Sequence, residues 1–163
     1  MRIEEKVGAL LTARGLTLAT AESCTGGLMA DCLTNVAGSS AYYLGGWVAY
    51  AYRAKEILLD VRHETLLSHG AVSEETAQEM ARGARERLGA DLALSITGIA
   101  GPGGGMPNKP VGLVYVALSA PGVDLCRRHL FEGDRWANKQ QSVDASLRLL
   151  RDYLLDPDAA GHG

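Results

Sequence analysis

Several residue types that would define a protein class are scarce in this chain. Its 163 residues include three cysteines, odd in number and without the spacing of a metal site, so a disulfide framework is not expected. No apolar run approaches the length that spans a bilayer, and the charged N-terminus lacks a signal-peptide core. These absences predict a cytoplasmic protein that keeps its thiols reduced and does not bind membranes.

The chain also lacks a large excess of positive or negative charge. The chain has 16 Lys and Arg against 19 Asp and Glu, a net charge of −3, and no basic stripe is visible, so we expect no nucleic-acid binding. The length suits one domain with a core of its own, which we place at residues 1–155. The remainder, residues 156–163, is predicted to be a disordered tail.

The apolar pattern predicts alternating helices and strands. Helical spacing covers residues 2–14, 28–36, 73–88 and the segment after Asp134, and short helices are expected at 55–59 and 64–68. Strands are predicted at 16–20, 42–50, 92–96, 111–118 and 125–131, the last two as a hairpin around Pro121-Gly122. Early crossovers and a late hairpin predict an α/β fold: a single three-layer α/β/α domain with a mixed, mostly parallel sheet.

Two glycine clusters follow predicted strands. The first is Ala21-Glu22-Ser23-Cys24-Thr25-Gly26-Gly27, and the second is the loop from Thr97 to Gly105. A small-residue turn at the carboxyl end of a strand exposes backbone N–H groups to an anion or an oxyanion. The second loop has neither Walker nor Rossmann spacing, so by itself it indicates only a general anion cradle.

The first cluster holds two candidate nucleophiles. Ser23 is either a helix N-cap or a nucleophile, and Thr25 can take over the capping role. Cys24 would need a histidine partner. None of the four histidines lies in a glycine-rich or strand-end setting, so Cys24 is better interpreted as a small buried residue.

A serine without a histidine needs another base, and the chain offers four lysines: Lys6, Lys55, Lys109 and Lys139. Lys55 follows the second predicted strand and can return to the sheet end that carries Ser23, although a solvated helix-start lysine has the same pattern. Arg135 precedes the last helix and is either a clamp for a phosphate or carboxylate or an ordinary surface arginine.

Seven ordered motifs closely resemble the CinA C-terminal domain family, whose enzymatic members are nicotinamide mononucleotide amidohydrolases of the PncC type. The matching stretches cover about residues 5–154: Ala21–Gly27, Ala37–Ser40, Gly46–Lys55, His69–Ser73, Thr97–Gly105, Lys109–Gly112 and Gly133–Arg135. Two positions depart from the family pattern: Met106 stands where a threonine is common, and Lys139 stands where an arginine is common.

The resemblance implies deamidation of nicotinamide mononucleotide to nicotinate mononucleotide and ammonia, with no cofactor and no metal. It implies that Ser23 is the nucleophile, Lys55 the base, Tyr50 an accessory hydrogen-bonding residue and Arg135 a substrate-positioning cation. We expect oxyanion donors among Thr25, Gly26 and Gly27. The predicted substrate-binding residues are Thr97, Gly98, Gly101, Gly103, Gly104, Lys109 and Arg135.

Further expectations follow from the same resemblance. The protein should take a small nucleotide substrate and form a homo-oligomer. It should lack the pyrophosphatase-type activity that the larger members carry in an N-terminal domain. Two alternatives remain open: a weakly catalytic or non-catalytic nucleotide-binding module of the competence- or damage-inducible type, and an amidase for another carboxamide.

Overall fold

The structure, a computed structural model, describes residues 1–160. Its elements follow the predicted alternation of helices and strands. In chain order they are α1 (Ile3–Arg14), β1 (Leu18–Glu22), α2 (Leu28–Thr34), a 3₁₀ turn (Ser39–Ala41), β2 (Tyr43–Val48), α3 (Tyr52–Leu59), α4 (His63–His69), α5 (Glu74–Leu88), β3 (Leu92–Gly98), β4 (Leu113–Ala120), β5 (Val123–Leu130), α6 (Arg135–Leu155) and α7 (Pro157–Ala160).

The five strands form one mixed sheet in the order β2-β1-β3-β4-β5. β1 pairs in parallel with both β2 and β3, whereas β4 is antiparallel to β3 and to β5. Four strands therefore run in one direction, with β4 opposed to them, and the predicted mixed sheet is confirmed. The chain leaves β1 for β2 on one side and returns to β3 on the other, which makes the carboxyl end of β1 a switch point where α/β proteins bind ligands.

Helices cover both faces of the sheet, which confirms the three-layer architecture. On one face, α1, α2 and α6 bury side chains such as Leu11, Leu33 and Leu147. On the other face, α3, α4 and α5 pack Leu59 and Met80 against the small residues of β1. The helices α3 and α5 approach so closely that a side chain at Gly83 would collide with the carbonyl of Leu59.

The helix boundaries agree with the sequence signals that predict them. The Ser73 side chain accepts a hydrogen bond from the Thr76 amide at the start of α5, and the Asp134 side chain accepts one from the Ala137 amide at the start of α6. α5 ends at Gly89, which adopts a left-handed conformation with φ 62°. No helix within residues 1–160 is both long and apolar enough to cross a membrane.

Most predicted boundaries lie within three residues of the observed ones, and two of the differences have a physical reason that the structure shows. β1 begins two residues later than expected and includes Glu22, because the Thr17 amide and hydroxyl are already engaged by the Asp91 carboxylate before the ladder starts. The predicted disordered tail is wrong for Pro157–Ala160, which forms α7 and buries Ala160 to 4% exposure. Residues 161–163 of that prediction lie outside the described residues.

Candidate active site

Ser23 lies directly after β1, at the carboxyl end of the parallel strands. Its amide donates to the carbonyl of Ile96 at 3.0 Å, which extends the β1–β3 ladder by one residue and fixes the backbone there. The residue is 7% exposed, and its hydroxyl faces the amine of Lys55 in α3. The sheet register therefore decides where the hydroxyl points.

Lys55 is buried, with 1% of its surface exposed. Its Nζ lies 2.9 Å from Ser23 Oγ, 3.0 Å from the carbonyl of Ala49 and 2.9 Å from the carbonyl of Tyr50. Burial lowers the pKa of the Lys55 amine from 10.5 to about 8, and no carboxylate in the described chain opposes this fall. A neutral amine is therefore accessible close to neutral pH.

The three partners of Lys55 orient the amine. Carbonyl oxygens only accept hydrogen bonds, so two N–H bonds of Lys55 point at Ala49 and Tyr50. In the neutral amine this leaves the lone pair for Ser23, whose hydroxyl can then donate to Nζ over 2.9 Å. The two carbonyls thus hold a base in the direction that deprotonates the serine.

A cavity of about 240 Å³ opens beside this pair, slightly below the size range of pockets that enclose drug-sized ligands. It brings together most residues that the sequence singles out. Its lining comprises Ser23, Cys24, Tyr50, Lys55, Ala71, Val72, Thr97, Gly98, Ile99, Ala100, Gly101, Gly103, Gly104 and Arg135.

Arg135, the first residue of α6, stands at the mouth of the cavity. Its guanidinium donates to the carbonyl of Gly101 at 2.8 Å and to the hydroxyl of Tyr50 at 3.2 Å. The side chain of Asn138 ties the same loop to α6 by donating to the carbonyl of Ala100 at 3.0 Å. The guanidinium keeps further N–H donors for a ligand, and Tyr50 serves the site through both its hydroxyl and its carbonyl.

Two predicted substrate-binding residues are occupied with structural contacts. Lys109 does not line the cavity, because its amine donates to the carbonyl of His69 at the end of α4. Thr97 lines the cavity, but its hydroxyl donates to the carbonyl of Ala71 at 2.8 Å. The prediction that Lys109 binds substrate therefore does not agree with its position, and Thr97 holds the loop before α5.

Glu22 is a residue of the site that was not predicted from the sequence. This residue is 1% exposed, and its carboxyl group accepts hydrogen bonds from the Thr25 hydroxyl at 2.6 Å and the Gly27 amide at 3.2 Å. The amides of Met29 and Ala30 also donate to it, at 2.9 Å and 3.0 Å. An acid at the end of a strand, followed by three small residues that lead into Gly26-Gly27 and a helix, is the signal that could have indicated this cap.

This contact changes the expected oxyanion donors. The Gly27 amide is engaged by Glu22, and the Gly26 amide donates to the carbonyl of Ser23 at 3.1 Å. Neither is free, so the structure disagrees with both assignments. Within residues 1–160 the amides of Cys24 and Thr25 donate to no other residue, which leaves them as the candidate oxyanion donors beside Ser23.

Cys24 is 6% exposed, and burial raises the pKa of its thiol to about 11. The group therefore stays protonated at neutral pH, as expected for a small buried residue. No histidine is among the cavity residues. In the described part of the chain, no group of three or more His, Cys, Asp or Glu could hold a metal ion.

With this geometry in place, comparison with known proteins decides the family. The sequence matches the CinA C-terminal domain over residues 1–154. The chain belongs to the CinA C-terminal domain family. The nicotinamide-nucleotide amidohydrolase PncC of Escherichia coli is 50% identical to this CinA domain over 156 residues, which cover 95% of this chain and 94% of that protein.

Other relatives are longer. A CinA-like protein of Chloroherpeton thalassium is 52% identical over 158 residues, and a putative competence-damage inducible protein of Moorella thermoacetica is 53% identical over 148 residues. The chain spans 38% and 36% of their lengths. The crystal structure of a CinA superfamily protein from Klebsiella pneumoniae superimposes with a TM-score of 0.91 at 40% identity, covering 95% of this chain and 99% of the other.

Proposed function

We propose that this CinA domain hydrolyses the carboxamide of nicotinamide mononucleotide to nicotinate mononucleotide and ammonia, through an acyl-enzyme on Ser23. The observation that carries the proposal is the buried Lys55 amine, which lies 2.9 Å from Ser23 Oγ with a pKa of about 8. The similarity to the amidohydrolase PncC supports the choice of substrate. Such a reaction would serve pyridine nucleotide (NAD) recycling.

In the first step neutral Lys55 takes the hydroxyl proton of Ser23 while Oγ attacks the carboxamide carbon. The resulting oxyanion accepts hydrogen bonds from the unpaired amides of Cys24 and Thr25; one such donor contributes about 2.7–4 kcal/mol in related chemistry. Protonated Lys55 then gives its proton to the leaving nitrogen, which departs as ammonia when the C–N bond breaks.

The second half restores the enzyme. A water molecule enters the position that ammonia leaves, and Lys55 removes its proton as the oxygen attacks the acyl carbon. The ester bond to Ser23 breaks, the proton returns to Oγ, and nicotinate mononucleotide is released; its new carboxylic acid loses a proton, which ammonia takes up. The sum is one amide and one water converted to one carboxylate and one ammonium ion.

The substrate phosphate would lie at the mouth of the cavity, against Arg135 and the glycine amides of the loop. Arg135 carries a fixed positive charge with donors left over, which suits a phosphate. The Lys139 amine lies near the Ser23–Gly27 turn, because a Cβ at Gly26 would stand 3.8 Å from its Nζ, but Lys139 does not line the cavity. A lysine at this position keeps the charge but loses the paired donors of an arginine.

The test measures ammonia and nicotinate mononucleotide formed from nicotinamide mononucleotide, with nicotinamide and its dinucleotide as comparison substrates. Ser23→Ala should abolish ammonia release, whereas Cys24→Ser should keep most of it. Full activity in Ser23→Ala would overturn the mechanism. Thermal stabilisation by the mononucleotide without turnover would favour a nucleotide-binding module, and turnover of another carboxamide only would favour a different amidase.

Other expectations remain predictions. Self-association is tested by light scattering, which should give a mass above that of one 163-residue chain. A cytoplasmic location is tested by cell fractionation. Neither result changes the chemistry proposed for Ser23 and Lys55.

A further inference from the structure

We propose that Glu22 is a positioning residue for catalysis: its buried carboxyl group holds the start of α2 and thereby directs the amides of Cys24 and Thr25 at the carbonyl oxygen of the carboxamide that Ser23 attacks. This inference rests on the proposed function. It concerns a residue that touches neither the substrate nor the reacting atoms, so Glu22 would act through the backbone of the Ser23–Gly27 turn.

The contacts of Glu22 are unusual for a buried acid. In the described residues no lysine, arginine or histidine forms an ion pair with it. Instead it accepts hydrogen bonds from one hydroxyl and three amides, at 2.6, 3.2, 2.9 and 3.0 Å. Four hydrogen bonds therefore fix the position of this carboxyl group, and they join it to the Ser23–Gly27 turn and to the first turn of α2.

Glu22 and Ser23 act on opposite faces of the sheet. Successive side chains of a strand alternate in direction, so Glu22 points to α2 while Ser23 points to Lys55 in α3. The backbone of Glu22 is fixed as well, because its carbonyl accepts from the Ala49 amide at 2.8 Å. The turn between β1 and α2 is therefore held at its strand end and, through the carboxylate, at its helix end.

This arrangement determines which amides a ligand can reach. The first amides of α2 are aimed at Glu22, so the oxyanion does not compete with the carboxylate for them. The carboxylate also binds the Thr25 hydroxyl, which fixes the residue whose own amide is free. Moving this turn by a fraction of an ångström would misalign both free amides while leaving the substrate phosphate site unchanged.

The informative variant is Glu22→Gln, which keeps the size of the side chain. One carboxylate oxygen becomes an NH₂ group, which must face an amide donor of Met29 or Ala30 and so displaces the turn. We expect kcat for ammonia release to fall about 10- to 100-fold, since misplaced catalytic groups cost that much. KM should stay within about twofold, because the lost interaction belongs to the transition state.

Two further measurements separate positioning from general damage. Thr20→Val is the matched control, because Thr20 lies two residues earlier on β1 and loses a 2.6 Å hydrogen bond to the Tyr43 hydroxyl. It should lower the melting temperature without lowering kcat. In Glu22→Gln the pH midpoint of kcat/KM should not move, because the contacts of Lys55 are made on the other face of the sheet.

Thr25→Val carries the test if Glu22→Gln does not fold, because it removes one of the four donors to the carboxylate. It should also lower kcat. Where Glu22→Gln does fold, the double variant should lose less than the product of the two single losses. Wild-type kcat in Glu22→Gln, together with an inactive Ser23→Ala, would overturn this inference alone. Full activity in Ser23→Ala would overturn the serine mechanism and this inference with it.

Discussion

Replacing Lys55 by methionine should change how the stability of the protein depends on pH. In the folded chain burial lowers the pKa of the Lys55 amine from 10.5 to about 8, whereas the unfolded chain exposes the amine to water. The unfolded state therefore binds more protons than the folded state between these two values. Wild-type stability must rise with pH across this window, relative to a variant that lacks the amine.

The size of the effect follows from the two pKa values. One pKa unit corresponds to about 1.4 kcal/mol, so the fall from 10.5 to about 8 makes the protonated amine about 3 kcal/mol less favourable in the folded chain. This cost is fully present below about pH 8 and is lost by about pH 10.5. Lys55→Met also leaves the carbonyls of Ala49 and Tyr50 without a donor, but that loss does not depend on pH.

The assay is urea unfolding of wild type and Lys55→Met over a pH series. The free energy of unfolding of wild type minus that of the variant should rise by about 3 kcal/mol from about pH 7 to about pH 10.5. Lys6→Met is the control, since Lys6 is exposed and its difference from wild type should stay constant. A constant difference for Lys55→Met as well would refute the buried, easily deprotonated amine on which the proposed catalysis depends.

Three further predictions concern activity and binding. First, kcat/KM for ammonia release should rise as pH passes through about 8 and then level off, because the neutral form of Lys55 is the base; a rate that falls over this range would contradict that role. Second, Arg135→Ala should raise KM for the mononucleotide about tenfold and lower kcat less. The KM of Arg135→Lys should lie between those of wild type and Arg135→Ala. Steady-state kinetics in which kcat falls more than KM rises would contradict the positioning role of Arg135. Third, Lys109→Met should lower the melting temperature and leave KM unchanged, since the Lys109 amine donates to the carbonyl of His69 outside the cavity. A raised KM would instead support the prediction that Lys109 binds substrate.

Local patterns predicted most of the secondary structure. Ser73 and Asp134 mark helix starts because a short polar side chain can accept from an amide three residues ahead, which is a contact within one turn. The predicted start of β1 is two residues too early, because the observed start depends on Asp91, which is distant in sequence and binds Thr17. Chain proximity alone does not indicate that partner.

The same distinction explains the candidate site. Scarcity of lysine and the order of strands were enough to place Ser23 and Lys55 as candidates at one sheet end, and the family resemblance then selected them as nucleophile and base. The contacts of Gly27 and Lys109 could not be predicted from local sequence, because folding brings their partners close. The Gly27 amide donates to the Glu22 carboxyl group, and the Lys109 amine donates to the carbonyl of His69. The sequence does not distinguish an N–H donor that is free from one that is already hydrogen-bonded.

Sequence by itself determined the layer architecture, the glycine turn after β1 and the identity of the possible nucleophile and base, because periodicity and residue chemistry are local properties. Tertiary structure alone decided that the amine of Lys55 is buried and that two carbonyls orient it toward Ser23. It also decided that the carboxyl group of Glu22 accepts hydrogen bonds from the first amides of α2. The physical reason is that desolvation and hydrogen-bond satisfaction depend on which distant segments surround a group, and that is settled only when the chain has packed.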